Sequence, residues 1–324
     1  MKSIAIRAVL VALLSSLFFT FTYVLNRAMV EGGGHWAWMV SMRFMMTLPL
    51  LAIALPFLGG FASLRVELKQ HAGTWLLWST FGFGLFGICL TWAAASGPAW
   101  LIAGSFQTTV IAGLLLSPLI YRDERRRIPL PALAVGMLVI GGVLLMQFAH
   151  ADGALDTKAW LALASVCASA FLYPLGNRML LLHLERHESE LGPAQRVLGM
   201  TLCSQPVWIA LAIYAWSQVG WPTVTGLAMA AGVALTSGVV ATLLFFAATQ
   251  WVRRNPTALA AVEAMQAAEL LFASMLGAAF LGEVWPQGWG LLGAVLVVIG
   301  IIAFSVLSAR SGPTIDVVAT DRGA

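Results

Sequence analysis

The chain has 324 residues, is 60% hydrophobic and only 10% charged, and has a mean hydropathy of +0.88; these values exclude an ordinary soluble domain and describe a polytopic membrane protein. The net charge of +4 would suit a nucleic-acid partner if the basic residues shared one face, but they are scattered through short loops, where they act as topology signals, so no nucleic acid is expected. Cys89, Cys167 and Cys203 lie inside apolar runs without CxxC or Cys/His spacing, so neither a disulfide framework nor a metal site is supported, and no cofactor is expected.

The opening MKSIAIRAVLVALLSSLFFTFTYVL places Lys2 and Arg7 ahead of an apolar run, as a signal peptide would. The run continues to about Val24 without a small-x-small cleavage site, so it is read as a first transmembrane helix. Apolar segments of bilayer-spanning length, about 20 residues, fall at 7–30, 36–58, 74–96, 98–120, 129–149, 158–182, 194–216, 223–250, 256–281 and 287–309. The fold class predicted is thus all-α with ten transmembrane helices. Residues 59–73 and 183–193 read as loops, and 311–324 as a polar cytoplasmic tail. Counted by alternate sides, one face of the membrane receives nearly every Lys and Arg, including the run YRDERRR at 121–127, while the other receives Lys158. The positive-inside rule then puts the N and C termini in the cytoplasm. Trp36, Trp38, Trp100, Trp160, Trp216, Trp221, Trp285 and Trp289 fall at outer helix ends and Trp75, Trp78 and Trp251 at inner ends, an interfacial belt.

The chain repeats itself. TYVLNRAM in helix 1 returns as LYPLGNRM in helix 6, matching Asn26 and Arg27 to Asn177 and Arg178; Arg43 of helix 2 matches Arg196 of helix 7; and Gln107 precedes Glu124 by the same interval as Gln266 precedes Glu283. Each unit, 1–150 and 151–310, holds an odd number of helices, five, so the second enters the membrane from the opposite side. Two inverted five-helix repeats are an architecture of secondary transporters, whose sites lie at the repeat interface near the midplane.

The sharpest functional signal is in TALAAVEAMQAAELLFASMLGAAFLGE, residues 257–283, where Glu263, Gln266 and Glu269 interrupt an apolar run. A carboxyl group inside hydrocarbon costs a few kcal/mol or more, so it persists mainly where it faces a cavity or a partner and has a task. On a continuous helix the three would form one oblique stripe, each about 60° from the next, with Gln266 near the midplane. Gln107 should occupy the equivalent depth in helix 4, so that the two glutamines offer donors and acceptors to a solute. The carboxylates have no counterparts in the first repeat, and an acid that can be neutral in the membrane and charged when hydrated is what a proton carrier requires. Arg27 and Arg43 lie toward the outer ends of helices 1 and 2, Arg178 and Arg196 toward the inner ends of helices 6 and 7. There they either snorkel to the interface or serve the cavity mouths.

ELLFASMLGAAFLGE, and MVSMRFMMTLPL around Arg43, resemble motifs of the EamA-type drug/metabolite transporter superfamily. The resemblance extends over 7–309 in helix number, repeat and topology. It is closest to the multidrug resistance efflux branch, where a Gln followed by a Glu on helix 9 fits Gln266 and Glu269. Leu270 stands where that pattern has Pro, and Glu263 is not part of it, so no particular member's substrate carries over. The resemblance implies a cavity lined by helices 1, 3, 4, 6, 8 and 9, with 5 and 10 peripheral, and export by alternating access.

No GxGxxG, Walker loop, HExxH or nucleophile elbow is present, and no loop could hold a nucleotide-binding unit, so an enzyme is not expected and the energy source is an ion gradient or the substrate gradient. The expected function is secondary export of small organic solutes, drugs or lipophilic cations, across the bacterial inner membrane, coupled to protons with Glu269 leading. Export or exchange of small metabolites such as amino acids is the alternative, favoured by the membrane arginines. A non-transporting sensor or membrane enzyme is the remote one, and homodimer formation is left open.

Overall fold

The computed structural model describes residues 2–96, 99–128, 130–150, 157–253, 258–259, 261–262 and 265–310. Among these the chain is all-helical and holds no strand. In hydrocarbon every backbone N–H and C=O must find its partner inside the chain, and a helix does this within one segment. The helices are α1 (Lys2–Glu31), α2 (Trp36–Ala54), α3 (Ala62–Ser79), α4 (Phe86–Ala94), α5 (Ala99–Phe106), α6 (Thr109–Ile120), α7 (Leu130–His150), α8 (Thr157–Arg186), α9 (Pro193–Cys203), α10 (Gln205–Val219), α11 (Val224–Val233), α12 (Thr242–Val252), α13 (Ala268–Leu281) and α14 (Trp289–Arg310). Among the described residues, six stretches are long and apolar enough to cross a membrane, and a seventh if α9 and α10 are counted as one span bent by 46°; Leu130–Met146, Ala268–Leu281 and Trp289–Ala303 are shorter apolar helices.

Several rods are interrupted rather than ended. α3 runs into α4 through a π-helical stretch, Thr80–Leu85, and α11 into α12 through another, Ala234–Ala241. A break at Gln107 and Thr108 separates α5 from α6, and a 3-10 turn, Met265–Ala267, leads into α13. The bend between α9 and α10 has a covalent cause: Pro206 has no N–H to give the Leu202 carbonyl, and the chain turns at Ser204, whose hydroxyl donates to the Thr201 carbonyl at 2.9 Å while accepting from Trp208 Nε1 at 2.9 Å.

These observations correct three expectations. Residues 62–73 are not loop but the first turns of α3. They are held down because Leu64 and Trp75 pack on Gly199 and buried Glu67 meets His183 Nε2 at 3.2 Å. Helix 9 is not continuous through Gln266, so the even stripe of Glu263, Gln266 and Glu269 does not apply; Glu263 itself lies outside the described residues. Finally, Trp38, Trp75 and Trp100 are buried rather than interfacial, whereas Trp160, Trp216, Trp221, Trp285 and Trp289 are exposed as a belt requires.

Close helix contacts rest on small residues. Gly142 of α7 faces Gly293 of α14 backbone to backbone, with Gly300 against Val139, the means by which helices approach when lipid offers no hydrophobic drive for association. α7 and α14 pack chiefly on one another and stay clear of the cavities described next. The second such crossing is Gly82, inside the first π stretch, against Gly176 of α8.

Candidate functional site

The interruptions converge. A cavity with an empty volume of ≈ 600 Å³ is lined by residues from both π stretches or their borders (Phe83, Gly238), from the ends of α5 and α9 (Phe106, Thr201) and from the 3-10 turn and the start of α13 (Gln266, Glu269). α1 adds Phe19, Thr22 and Tyr23, α2 adds Arg43, Phe44 and Thr47, α4 adds Phe86, and α8 adds Tyr173. Where a helix is broken its backbone polar groups are free to turn inward, and irregular backbone at membrane depth is tolerated where it faces a cavity or is braced by protein. The lining includes helices 2 and 7, through Arg43 and Thr201, which the family resemblance had not implied. Its walls are rich in aromatic rings: Phe86 lies against Tyr173 in a tilted pair with ring centroids 4.9 Å apart, and Phe44 lies 5.7 Å from Phe83. Behind Phe44, Trp208 stacks face to face at 4.2 Å.

Glu269 is 2% exposed. It occupies the first turn of α13, where unpaired N–H groups and the helix dipole favour a negative charge. The Tyr23 hydroxyl interacts with its carboxyl, and Arg43 adds an electrostatic attraction. Arg43 is itself anchored: its guanidinium donates to the Ser237 hydroxyl at 2.8 Å, which also accepts from Thr22 at 2.7 Å, and it lies 5.0 Å from the Phe44 ring. Its Nε has no hydrogen-bond partner among the described residues. An acid, a phenol, a guanidinium and several aromatic faces thus share one space.

Gln107 has a different role from the one its position suggested. Its amide donates to the Ala103 carbonyl at 3.0 Å and to the Gln266 carbonyl at 2.9 Å, and it lines neither this cavity nor the next. Ser16 does the same for the Met265 carbonyl at 2.7 Å. The two side chains satisfy the carbonyls that the 3-10 turn leaves over. Gln266 reaches the cavity, and it also lines a second space of ≈ 580 Å³ together with Tyr173, Asn177, Arg178, Arg196 and Thr249. There Arg178 donates to the Gly113 carbonyl and to Ser117. Arg196, 6% exposed, sits over the Phe246 ring at 4.3 Å, and its Nε and Asn177 Oδ1 have no partner among the described residues.

Of the residues singled out in the sequence, the structure brings Arg43, Gln266 and Glu269 into one cavity and Asn177, Arg178, Arg196 and Gln266 into the other. Asn26 is buried outside both, and Arg27 is paired with Glu31 at 2.8 Å. Sequence reasoning passed over Tyr23, Tyr173, Ser237 and the phenylalanines. The two tyrosines were visible, since each stands second in its copy of the repeated motif; Ser237 and the phenylalanines carry no signal apart from the fold.

An all-helical chain with several membrane-crossing segments, an interior cavity rich in aromatic rings and a buried acid within it is built as a membrane transporter. The chain belongs to the EmrE family, described as "Putative multidrug resistance efflux transporter", whose model matches residues 6–310. It is 40% identical over 316 residues to "Uncharacterized protein YjlA" of Bacillus subtilis (strain 168), covering 95% of this chain and 97% of that one. It is 36% identical over 289 residues to "Uncharacterized 42.1 kDa protein in intracellular alkaline protease 3'region" of Shouchella clausii, covering 87% and 75%. A solved structure described as "Crystal structure of protein" superposes with a TM-score of 0.61 over 96% of this chain and 98% of that chain, at 13% identity, a likeness of fold alone.

Proposed function

We propose that this protein is a proton-coupled secondary exporter of small lipophilic organic cations in the bacterial inner membrane, working by alternating access around the Glu269 cavity. Ten transmembrane helices in two inverted repeats, 1–150 and 151–310, with both termini cytoplasmic, form the frame of this reading. Support for the repeat comes from paired irregularities: π stretches at Thr80–Leu85 and Ala234–Ala241, and breaks at Gln107 and Gln266, which the Gln107 amide ties together. The observation that carries the function is Glu269, buried among aromatic faces with Tyr23 and Arg43. Aromatic faces attract organic cations, and one carboxyl that can hold either a proton or a cation makes the two compete, which is the core of antiport. Arg43, held by Ser237, and Tyr23 would stabilise the charged acid once the proton leaves.

The test uses purified protein in liposomes with tetraphenylphosphonium as probe. A pH gradient should drive its movement, and Glu269→Gln should abolish that dependence, leaving only weaker binding by the aromatic faces that no longer responds to pH. Gradient-driven movement that survives Glu269→Gln would refute the assignment. A second reading, export of zwitterionic metabolites, has one observation in its favour: Arg43 faces the same space as Glu269. It prevails if the Glu269→Gln protein loses cation transport but still exchanges an anionic or zwitterionic solute.

A further inference from the structure

At the end of the bundle that carries Arg65, Lys69 and Arg186, away from both cavities, His71 of α3 meets His183 of α8 and His187, the residue that follows the end of α8 and still bonds back to the His183 carbonyl at 3.2 Å. One ligand atom from each lies within 4.8 Å of the other two, and the rings are 4.2–4.6 Å apart between centroids. We propose that these three imidazoles, backed by Glu67, form a binding site for a zinc-like divalent transition-metal ion that clamps α3 to α8.

Four features carry this. His183 and His187 are one helical turn apart and so share a face, while His71 sits at a kink in α3, with φ −129 and ψ 32, that brings a third nitrogen from another helix. The partners of two of the rings set their tautomers. The backbone carbonyl of His183 can only accept, so the 2.9 Å contact with His187 Nδ1 places the proton there and leaves Nε2 with its lone pair. The Glu67 carboxylate likewise can only accept, so the 3.2 Å contact with His183 Nε2 places the proton on that nitrogen and leaves Nδ1 to bind. Glu67, 7% exposed, therefore occupies the place of the outer carboxylate that orients a metal-bound histidine. A tetrahedral ion with bonds of about 2.1 Å holds its nitrogens about 3.4 Å apart, a closure that side-chain rotation from 4.8 Å can supply. His187 is exposed and offers an entry path. Three imidazoles suit zinc, copper or nickel, and the single carboxylate provides too little oxygen for magnesium or calcium.

The experiment takes the full-length protein in detergent, stripped with a chelator, and titrates it with ZnCl2 and, in parallel, MgCl2. One equivalent of zinc should bind with micromolar or tighter affinity and raise the melting temperature, with no response to magnesium. Cobalt in place of zinc should show the strong visible absorption of a four-coordinate ion. His187→Gln, at an exposed position where folding is not at risk, and His71→Gln should each weaken binding at least ten-fold; Glu67→Gln should weaken it about 10–100-fold, the usual cost of losing an outer-shell partner. No zinc binding, or binding unchanged in both His71→Gln and His187→Gln, would overturn the proposal and leave the three rings as a packing cluster.

Discussion

The crossing of the first π stretch with α8 makes a quantitative test of the architecture. A Cβ added at Gly176 would lie well inside 3.0 Å of Gly82 Cα and N and of the Trp78 carbonyl oxygen, whereas an ordinary contact is 3.4–4 Å. All three obstacles are backbone, so no rotamer change relieves them and α8 must move away from the π stretch. Overpacking of this kind costs about 1–3 kcal/mol, and more where the neighbours cannot yield; Gly176→Ala should fall at the upper end. A loss of about 3 kcal/mol lowers the ratio of folded to unfolded protein roughly 150-fold. α8 also carries Tyr173, whose ring lies 4.9 Å from that of Phe86, so the displacement should widen the cavity and weaken solute binding as well. The control is Gly141, inside α7, where an added Cβ meets nothing within 4 Å. Gly141→Ala should be neutral or stabilising by up to about 1 kcal/mol, since it adds helix propensity at no steric cost. Thermal denaturation of the detergent-solubilised variants, with probe binding alongside, checks both. If Gly176→Ala melts at or above the wild-type temperature, or Gly141→Ala falls as far as Gly176→Ala, the reasoning about this crossing is wrong.

Gln107→Leu keeps the volume but strips the Gln266 carbonyl of its donor, and should destabilise by about 1–3 kcal/mol, the cost of an unsatisfied buried acceptor, measured by chemical denaturation. Trp208→Ala removes the stack behind Phe44 and the donor to Ser204, and should cost about 3–5 kcal/mol with loss of probe binding as Phe44 relaxes. The 121–127 loop is fastened to α8 by Arg125, which bonds Asp123 at 2.6 Å and Glu185 at 2.9 Å. Its hydrogen bond holds the Asp123 carboxyl below the usual carboxylate range. A lowered carboxylate stabilises above its unfolded-state value and loses that contribution as pH falls through the folded-state one. The Asp123–Arg125 bond, which shapes the loop itself and holds Arg125 in place, should therefore be complete at neutral pH and fade in acid, and because Asp123 is half-exposed it should be worth well under about 1 kcal/mol and weaken with salt. Proteolysis of the loop across pH and salt reads this out.

The membrane class and the length of most apolar helices were legible in the sequence because hydrophobicity summed over about 20 residues is a strong signal. The interruptions were not. Nothing in ALTSGVVA or TFGFGL marks a π stretch, since the extra residue per turn is selected by what packs across it, Gly82 on Gly176 and Gly238 on Thr47. Glu269 and Arg43 were found because charge inside an apolar run stands out, while the phenylalanines beside them look like any membrane-facing residue. Arg27 matched its repeat partner in sequence, but its neighbour Glu31, one turn on, gives it an ion pair instead. The histidines escaped because only two of the three are close in sequence; His71 joins them through tertiary packing of α3 on α8.

Tyr173 and Gln266 line both cavities, so where these residues stand the wall between the two chambers is a single side chain thick. A phenol ring and an amide can move by side-chain rotation alone, with no rearrangement of the helices that carry them. Communication between the chambers is thereby separable from the slower motion of the rods around them: a leak confined to these two residues would change how tightly the compartments are sealed without altering which side of the membrane either one faces.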